Sequence, residues 1–167
     1  KESSIHQLVD EGVLSARFEQ LCSDALGYER LLYAHQVKAI RKIVKGRNLV
    51  VSTGTGSGKT EAFLIPILDY LLREQENGSI RQPGVRAVLL YPMNALANDQ
   101  MKRMRRMLEK YPDITFGMYI NIRETPETHR EADERFKETY GNSEPNIPNE
   151  LKSREEMHAT PPHILMT

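Results

Sequence analysis

The chain has 167 residues, 39% of them hydrophobic and 28% charged, enough to bury roughly 70% of the unfolded surface in one domain. Lys plus Arg and Asp plus Glu both number 23, so a whole-molecule attraction for nucleic acid is excluded and any such binding must use local patches. Cys22 is the only cysteine, the five histidines are scattered and no apolar run approaches the ~20 residues of a bilayer span; an internal disulfide is excluded, neither a zinc cluster nor a membrane partner is expected, and a reducing, cytoplasmic setting fits.

The chain opens on Lys1 without a methionine and closes on Thr167 directly after an apolar run, so it reads as a piece of something longer. Residues 5–32 carry two short helical patterns, Ile5/Leu8/Val9 and Phe18/Leu21/Cys22/Leu26, with Ser15 before the second and Gly27 as its stop. No chemistry attaches to them, and residues 1–32 are read as an N-terminal helical extension. Val37, Ile40, Ile43 and Val44 then share one face of a helix that Gly46 ends.

Asn48-Leu49-Val50-Val51 is a short run rich in β-branched residues, read as a strand, that stops at Gly54, Gly56 and Gly58. Lys59, Thr60 and Glu61 follow and open a long apolar stretch. Strand, glycine loop and helix in that order form a phosphate cradle. The glycines permit tight turns, successive N–H groups face one concavity, and the helix's positive end lies behind it. Lys59 brings a mobile charge for the β/γ phosphates, and the Thr60 hydroxyl suits Mg²⁺.

Residues 59–73 are apolar almost all round, as a buried helix requires, with Pro66 predicted to kink it. Residues 74–85 read as a polar surface loop. Arg86 to Tyr91 is the second strand, apolar enough to be buried on both faces of a parallel sheet. After Pro92, the spacing of Ala97, Met101, Met104 and Leu108 predicts a helix, with Lys102, Arg103, Arg105 and Arg106 on its solvated side. Ile114 to Ile120 is the third strand. Thr125-Pro126-Glu127 has the form of a helix start with Thr125 as its cap. Residues 131–162 are highly charged and rich in Asn and Pro, and read as a surface loop before a fourth strand at Ile164.

The segment Thr53-Gly54-Thr55-Gly56-Ser57-Gly58-Lys59-Thr60, with a threonine where the strict phosphate-loop pattern has its first glycine, resembles motif I of superfamily 2 helicases. Tyr33-Ala34-His35-Gln36, ending seventeen residues before Thr53, resembles the helicase Q motif, whose glutamine reads the adenine edge with donor and acceptor. Pro92 to Gln100 is similar to motif Ia, although Met93 replaces the usual threonine and Asn94 a familiar charge. Thr125 to Arg130 looks like a segment that follows the next strand in some large DNA helicases. The chain thus resembles the first RecA-like lobe of a superfamily 2 DEAD/DEAH-box helicase, in wording closest to large bacterial helicases of repair and antiphage defence.

That resemblance implies an α/β, three-layer P-loop NTPase fold (RecA-like) with a mostly parallel sheet, spanning residues 33–167 and cut before its catalytic acidic motif. It implies an ATP-dependent helicase or translocase, with ATP and Mg²⁺ as cofactors. Tyr33, Gln36, Thr53, Gly54, Thr55, Gly56, Ser57, Gly58, Lys59, Thr60 and Glu61 would hold the nucleotide, Lys59 and Thr60 acting in catalysis and Thr60 on the metal. Pro92, Met93, Asn94, Ala95, Gln100, Thr125 and Arg130 would meet nucleic acid, DNA in preference to RNA. A second RecA-like lobe of the same protein would complete the motor. None of Asp10-Glu11, Asp69 or Asp133-Glu134 follows a strand after the loop, so this stretch alone is expected to hold ATP without efficient hydrolysis. A nucleotide kinase would leave Gln36 and residues 92–100 unexplained; a non-hydrolysing nucleotide-binding scaffold is the other alternative.

Overall fold

Residues 2–22, 26–54, 56–121 and 124–167 are described by the computed structural model of the chain. They divide into two units, Lys1–Gly78 and Ser79–Thr167.

Helical spacing builds the first unit. Ser4 caps α1 (Ile5–Asp10) in a reciprocal box with Gln7, and α1 buries Ile5 and Leu8. After α2 (Phe18–Leu21), the helix α3 (Ala34–Ile43) buries Gln36, Val37, Ala39 and Ile40. It packs on α4 (Lys59–Asn77), which buries Leu64, Ile65, Leu68, Leu71 and Leu72 and contains Pro66. The N-terminal stretch is tied to the far half of α4: Ser15 N donates to Asp69 Oδ1 at 2.6 Å, and Arg17 Nη1 to Gln75 Oε1 at 3.0 Å.

Two expectations are corrected here. The helix runs on through Glu74, Gln75 and Glu76, all good helix formers, and stops at Gly78 in the left-handed region (φ 80°) rather than giving way to a loop at residue 74. The run 48–51 is not a strand, and Val50 is 92% exposed. Composition favours extension, but a strand exists through its ladder, and all strands among the described residues lie in the second unit.

The second unit alternates β1 (Ala87–Leu89), α5 (Asn94–Leu108), β2 (Phe116–Met118), α6 (His129–Tyr140), β3 (Glu150–Leu151), α7 (Arg154–Ala159) and β4 (Ile164–Met166). The sheet is parallel throughout in the order β1-β4-β2-β3, with Leu89 and Phe116 flanking β4 at Met166 and Ile164 respectively. This is an α/β fold with an all-parallel sheet. Exposure alternates along β1, where Leu89 is buried while Val88 and Leu90 are exposed, so it is covered on one face and not on both. Gly117 has no room for a side chain: a Cβ would lie 2.8 Å from Leu151 O and 2.8 Å from Met157 Sδ.

Residues 131–162 are not one surface loop. Thr128, not Thr125, caps α6 in a box with Glu131, and Ser153 caps α7 with Glu156. Phe136, Ile147 and Met157 are buried. The high charge masked these sparse apolar anchors, while both Thr/Ser-x-x-Glu boxes stood in the sequence.

Folding this segment over α5 also reverses the reading of Arg105. It is buried, donating to both Glu150 oxygens at 2.6 and 2.7 Å, with its guanidinium 5.0 Å from the Phe136 ring and 4.8 Å from that of Tyr140. Burial pulls its pKa down, but the bonds to Glu150 outweigh that and hold it above the usual range. Asn149 Nδ2 gathers the carbonyls of Leu108, Tyr111 and Ile114 at 2.9–3.2 Å, closing the end of α5. No helix among the described residues is long and apolar enough to cross a membrane.

Candidate nucleotide site and nucleic-acid edge

The glycine loop delivers its chain to α4 through two left-handed residues, Gly56 and Gly58, both at φ 73°. A side chain at Gly58 is excluded by space as well as by strain, since a Cβ would lie 2.6 Å from Gln36 Nε2 and 3.2 Å from Glu61 Oε2. At Gly54 and Gly56, by contrast, nothing stands within 4 Å of a Cβ, so that side of the loop is open. Lys59 follows as the first residue of α4, and its Nζ donates to the carbonyls of Thr53 at 2.9 Å and Gly54 at 2.7 Å. The Thr53 and Ser57 hydroxyls are 2.7 Å apart. Thr60 is half-buried in the first turn, and Thr55 lies outside the described residues.

Gln36 is neither solvated nor distant from this loop. It is 2% exposed; its Oε1 accepts from Tyr33 N at 2.7 Å, and its Nε2 donates to Gly58 O at 2.7 Å. As the third residue of α3 it returns a bond to the residue before the helix, a local role that its position already permitted. Tyr33 is 47% exposed and stacks on His35 with ring centroids 5.8 Å apart. Glu61 is buried and pairs with Arg30, whose Nη2 is 3.0 Å from its Oε1. The open glycine turn, the ammonium and the Thr60 hydroxyl suit a polyphosphate with its Mg²⁺. Asp69 serves otherwise, its carboxylate taking Ser15 N and Arg73 Nε.

The second unit carries the other candidates. Because its strands are parallel, the chain leaves β1, β2 and β4 at one edge, where Tyr91 N donates to Thr167 O and Tyr119 N to Met166 O, each at 2.8 Å. Pro92, Met93, Asn94 and Ala95 are exposed there at the start of α5, which has no side-chain cap. Gln100 is half-buried farther along it. Thr125 is 1% exposed; its hydroxyl donates to Met118 O at 2.7 Å and accepts from Ile120 N at 3.0 Å, so it shapes the turn after β2 from inside. Arg130 is 86% exposed, with Glu134 at 3.9 Å.

Sequence reasoning missed Arg154. Its guanidinium donates to Ile120 O at 2.6 Å and Tyr119 OH at 3.0 Å, while its backbone N–H donates to Pro126 O at 2.9 Å. It braces the same turn as Thr125. The only advance signal was the Ser153 cap beside it.

The family model described as DEAD/DEAH box helicase matches residues 33–148. The chain belongs to the DEAD/DEAH box helicase family. Among its relatives is the Druantia protein DruE of Escherichia coli, 47% identical over 92 residues that make up 53% of this chain and 5% of that protein. The uncharacterized ATP-dependent helicase MJ1574 of Methanocaldococcus jannaschii is 38% identical over 55% of this chain and 12% of its own length. The uncharacterized ATP-dependent helicase YprA of Bacillus subtilis is 33% identical over 47% and 10%. The matched region is thus a small part of each of these longer relatives. No solved structure matches the chain significantly.

Proposed function

We propose that this chain is the ATP-binding half of an ATP-dependent nucleic-acid helicase or translocase. The observation that carries the reading is the junction at Gly58. Two left-handed glycines lead into the 19-residue α4 at Lys59, and the Gln36 amide is bonded to the Gly58 carbonyl. Residues 53–60 and Glu61 form the cradle and its back wall. Lys59 exchanges two neutral carbonyls for anionic phosphate oxygens, a stronger, charge-assisted pairing. Thr60 would hold Mg²⁺, and Mg·ATP, when bound, would supply the γ-phosphoryl group whose hydrolysis powers a motor of this kind. Tyr33 and Gln36 receive the adenine, Gln36 using the amide hydrogen and the lone pair that its present bonds leave over.

Nucleic acid follows the C-terminal edge of the sheet. Pro92 leads into α5, where residues 93–95 offer uncapped amides at its N-terminus to a phosphate, Gln100 lies farther along that helix, Arg130 adds charge, and Thr125 holds the turn in shape. DNA is preferred here over RNA on the resemblance of the 125–130 segment. The acidic hydrolysis motif and the second lobe belong to the intact protein in this proposal, and residues 1–32 serve as its packing extension.

Lys59→Ala tests the proposal in the intact protein. Its unliganded melting temperature should stay near the parent's, because among the described residues the Lys59 ammonium bonds exposed loop carbonyls. Its stabilisation by Mg·ATP, which follows RT ln(1 + [L]/Kd), should nearly vanish together with nucleic-acid-stimulated phosphate release. Equal stabilisation of both proteins by Mg·ATP would remove the phosphate role.

A further inference from the structure

The cradle has an acid built into its back. Glu61 sits in the first turn of α4 with 5% of its surface exposed, and its Oε2 lies 3.2 Å from where a Cβ on Gly58 would be. A carboxylate at that turn helps α4, because it complements the positive end of the helix. The same charge opposes a polyphosphate seated on the glycine turn, and burial lengthens the reach of that repulsion. Lys59 does not answer it, since its ammonium bonds the carbonyls of Thr53 and Gly54.

Arg30 does. It comes from the stretch between α2 and α3, in the part of the sequence to which no chemistry attached, and its Nη2 donates to Glu61 Oε1 at 3.0 Å. Half of the Arg30 side chain is exposed, against 7% for Glu61, so water stabilises the cation far more than the anion and the pair is asymmetric. Gln36 completes the arrangement, its Nε2 and the Glu61 carboxylate both packing where a Gly58 side chain would go.

We infer that Arg30 is a charge-compensating, positioning residue of the nucleotide site: by neutralising Glu61 behind Gly58 it keeps the cradle receptive to the most highly charged nucleotides. This rests on the reading of residues 53–60 as a triphosphate cradle. Arg30 touches no substrate in this role; it acts through Glu61.

The test compares the intact parent protein with Arg30→Ala, Arg30→Lys, Glu61→Gln and the Arg30→Ala/Glu61→Gln double variant, each checked for folding by thermal unfolding. Affinities for Mg·ATP, Mg·ADP and adenosine are measured at low and physiological salt. Arg30→Ala should weaken Mg·ATP about three- to tenfold at low salt, Mg·ADP less and adenosine not at all, with the difference shrinking as salt is added. Arg30→Lys should retain most of the affinity. Adding Arg30→Ala to Glu61→Gln should cost less than about twofold in Mg·ATP affinity, because the charge that Arg30 answers is already gone.

Parent-like Mg·ATP binding by Arg30→Ala overturns the inference. So does a double variant that loses as much against Glu61→Gln as Arg30→Ala loses against the parent, or equal losses for ATP and adenosine, either of which would mean that Arg30 only holds shape. If Arg30→Ala does not fold, Arg30→Gln takes its place, and parent-like Mg·ATP binding by Arg30→Gln overturns the inference. A parent that binds no Mg·ATP at all removes the cradle reading itself, a failure visible before any variant is compared.

Discussion

Cys22 shows how a single side chain is governed by its surroundings rather than by its type. Burial pushes its thiol up to about 12 from 9.0. At pH 8 a thiol of that pKa is thiolate in only about one molecule in 10⁴, and the thiolate is the nucleophile. Iodoacetamide at pH 8 should therefore label the Cys22 peptide slowly in the native protein and rapidly after denaturation, as read by mass spectrometry. Rapid labelling of the native protein would mean that the thiol is not shielded. Gln36 makes the complementary case. Its place in the wording of residues 33–36 marked it, but its bond to Gly58 O depends on α3 packing against α4, which no spacing rule states. Glycines and lysines of a phosphate loop are legible because their chemistry is local. Arg30, Glu150 and Arg154 were not, since each acquires its role from a partner 31 to 45 positions away or from carbonyls 29 to 34 positions away.

At the scale of elements, the sequence misjudged a whole segment because its charges were taken for solvation. Arg105 follows Met104 and stands four residues after Met101, so it shares the flank of α5 that faces inward. Its partners Glu150, Phe136 and Tyr140 come from α6 and β3, in the stretch taken for loop. Lys152 is drawn in as well, donating to Asp133 Oδ1 at 2.6 Å and holding that carboxyl below its usual pKa. Removing one member of a buried pair strands the other charge, at a cost of about 3–5 kcal/mol. Arg105→Ala and Glu150→Ala should each lower stability by that order in denaturant titrations, whereas the volume-matched Arg105→Met/Glu150→Leu double variant should recover much of the loss. If the single variants lose less than about 1 kcal/mol, the pair is not buried as described.

For the molecule as a whole, the α/β class and three of the four strands among the described residues could be read in advance, because apolar β-branched runs and helical spacing are local records of burial. The exceptions share a cause. β3 has only two residues, too short for a pattern, and 48–51 has the composition of a strand without a described partner to make it one. Overall charge was legible too, and it bears on the last prediction. With Lys plus Arg equal to Asp plus Glu, the proposed nucleic-acid edge must work through few phosphate contacts rather than a long-range field. Single-strand affinity of the intact protein should then fall with salt at a modest slope, each neutralised phosphate adding about 0.7 to the exponent. Arg130→Ala should reduce that slope by about 0.7, because this exposed guanidinium is proposed to act as charge. Thr125→Val should instead weaken binding similarly at every salt concentration, because its hydroxyl bridges Met118 O and Ile120 N and so acts through the shape of the turn. A slope unchanged by Arg130→Ala would exclude a phosphate contact for that residue. An affinity unchanged by Thr125→Val would move the path of the strand away from the turn after β2.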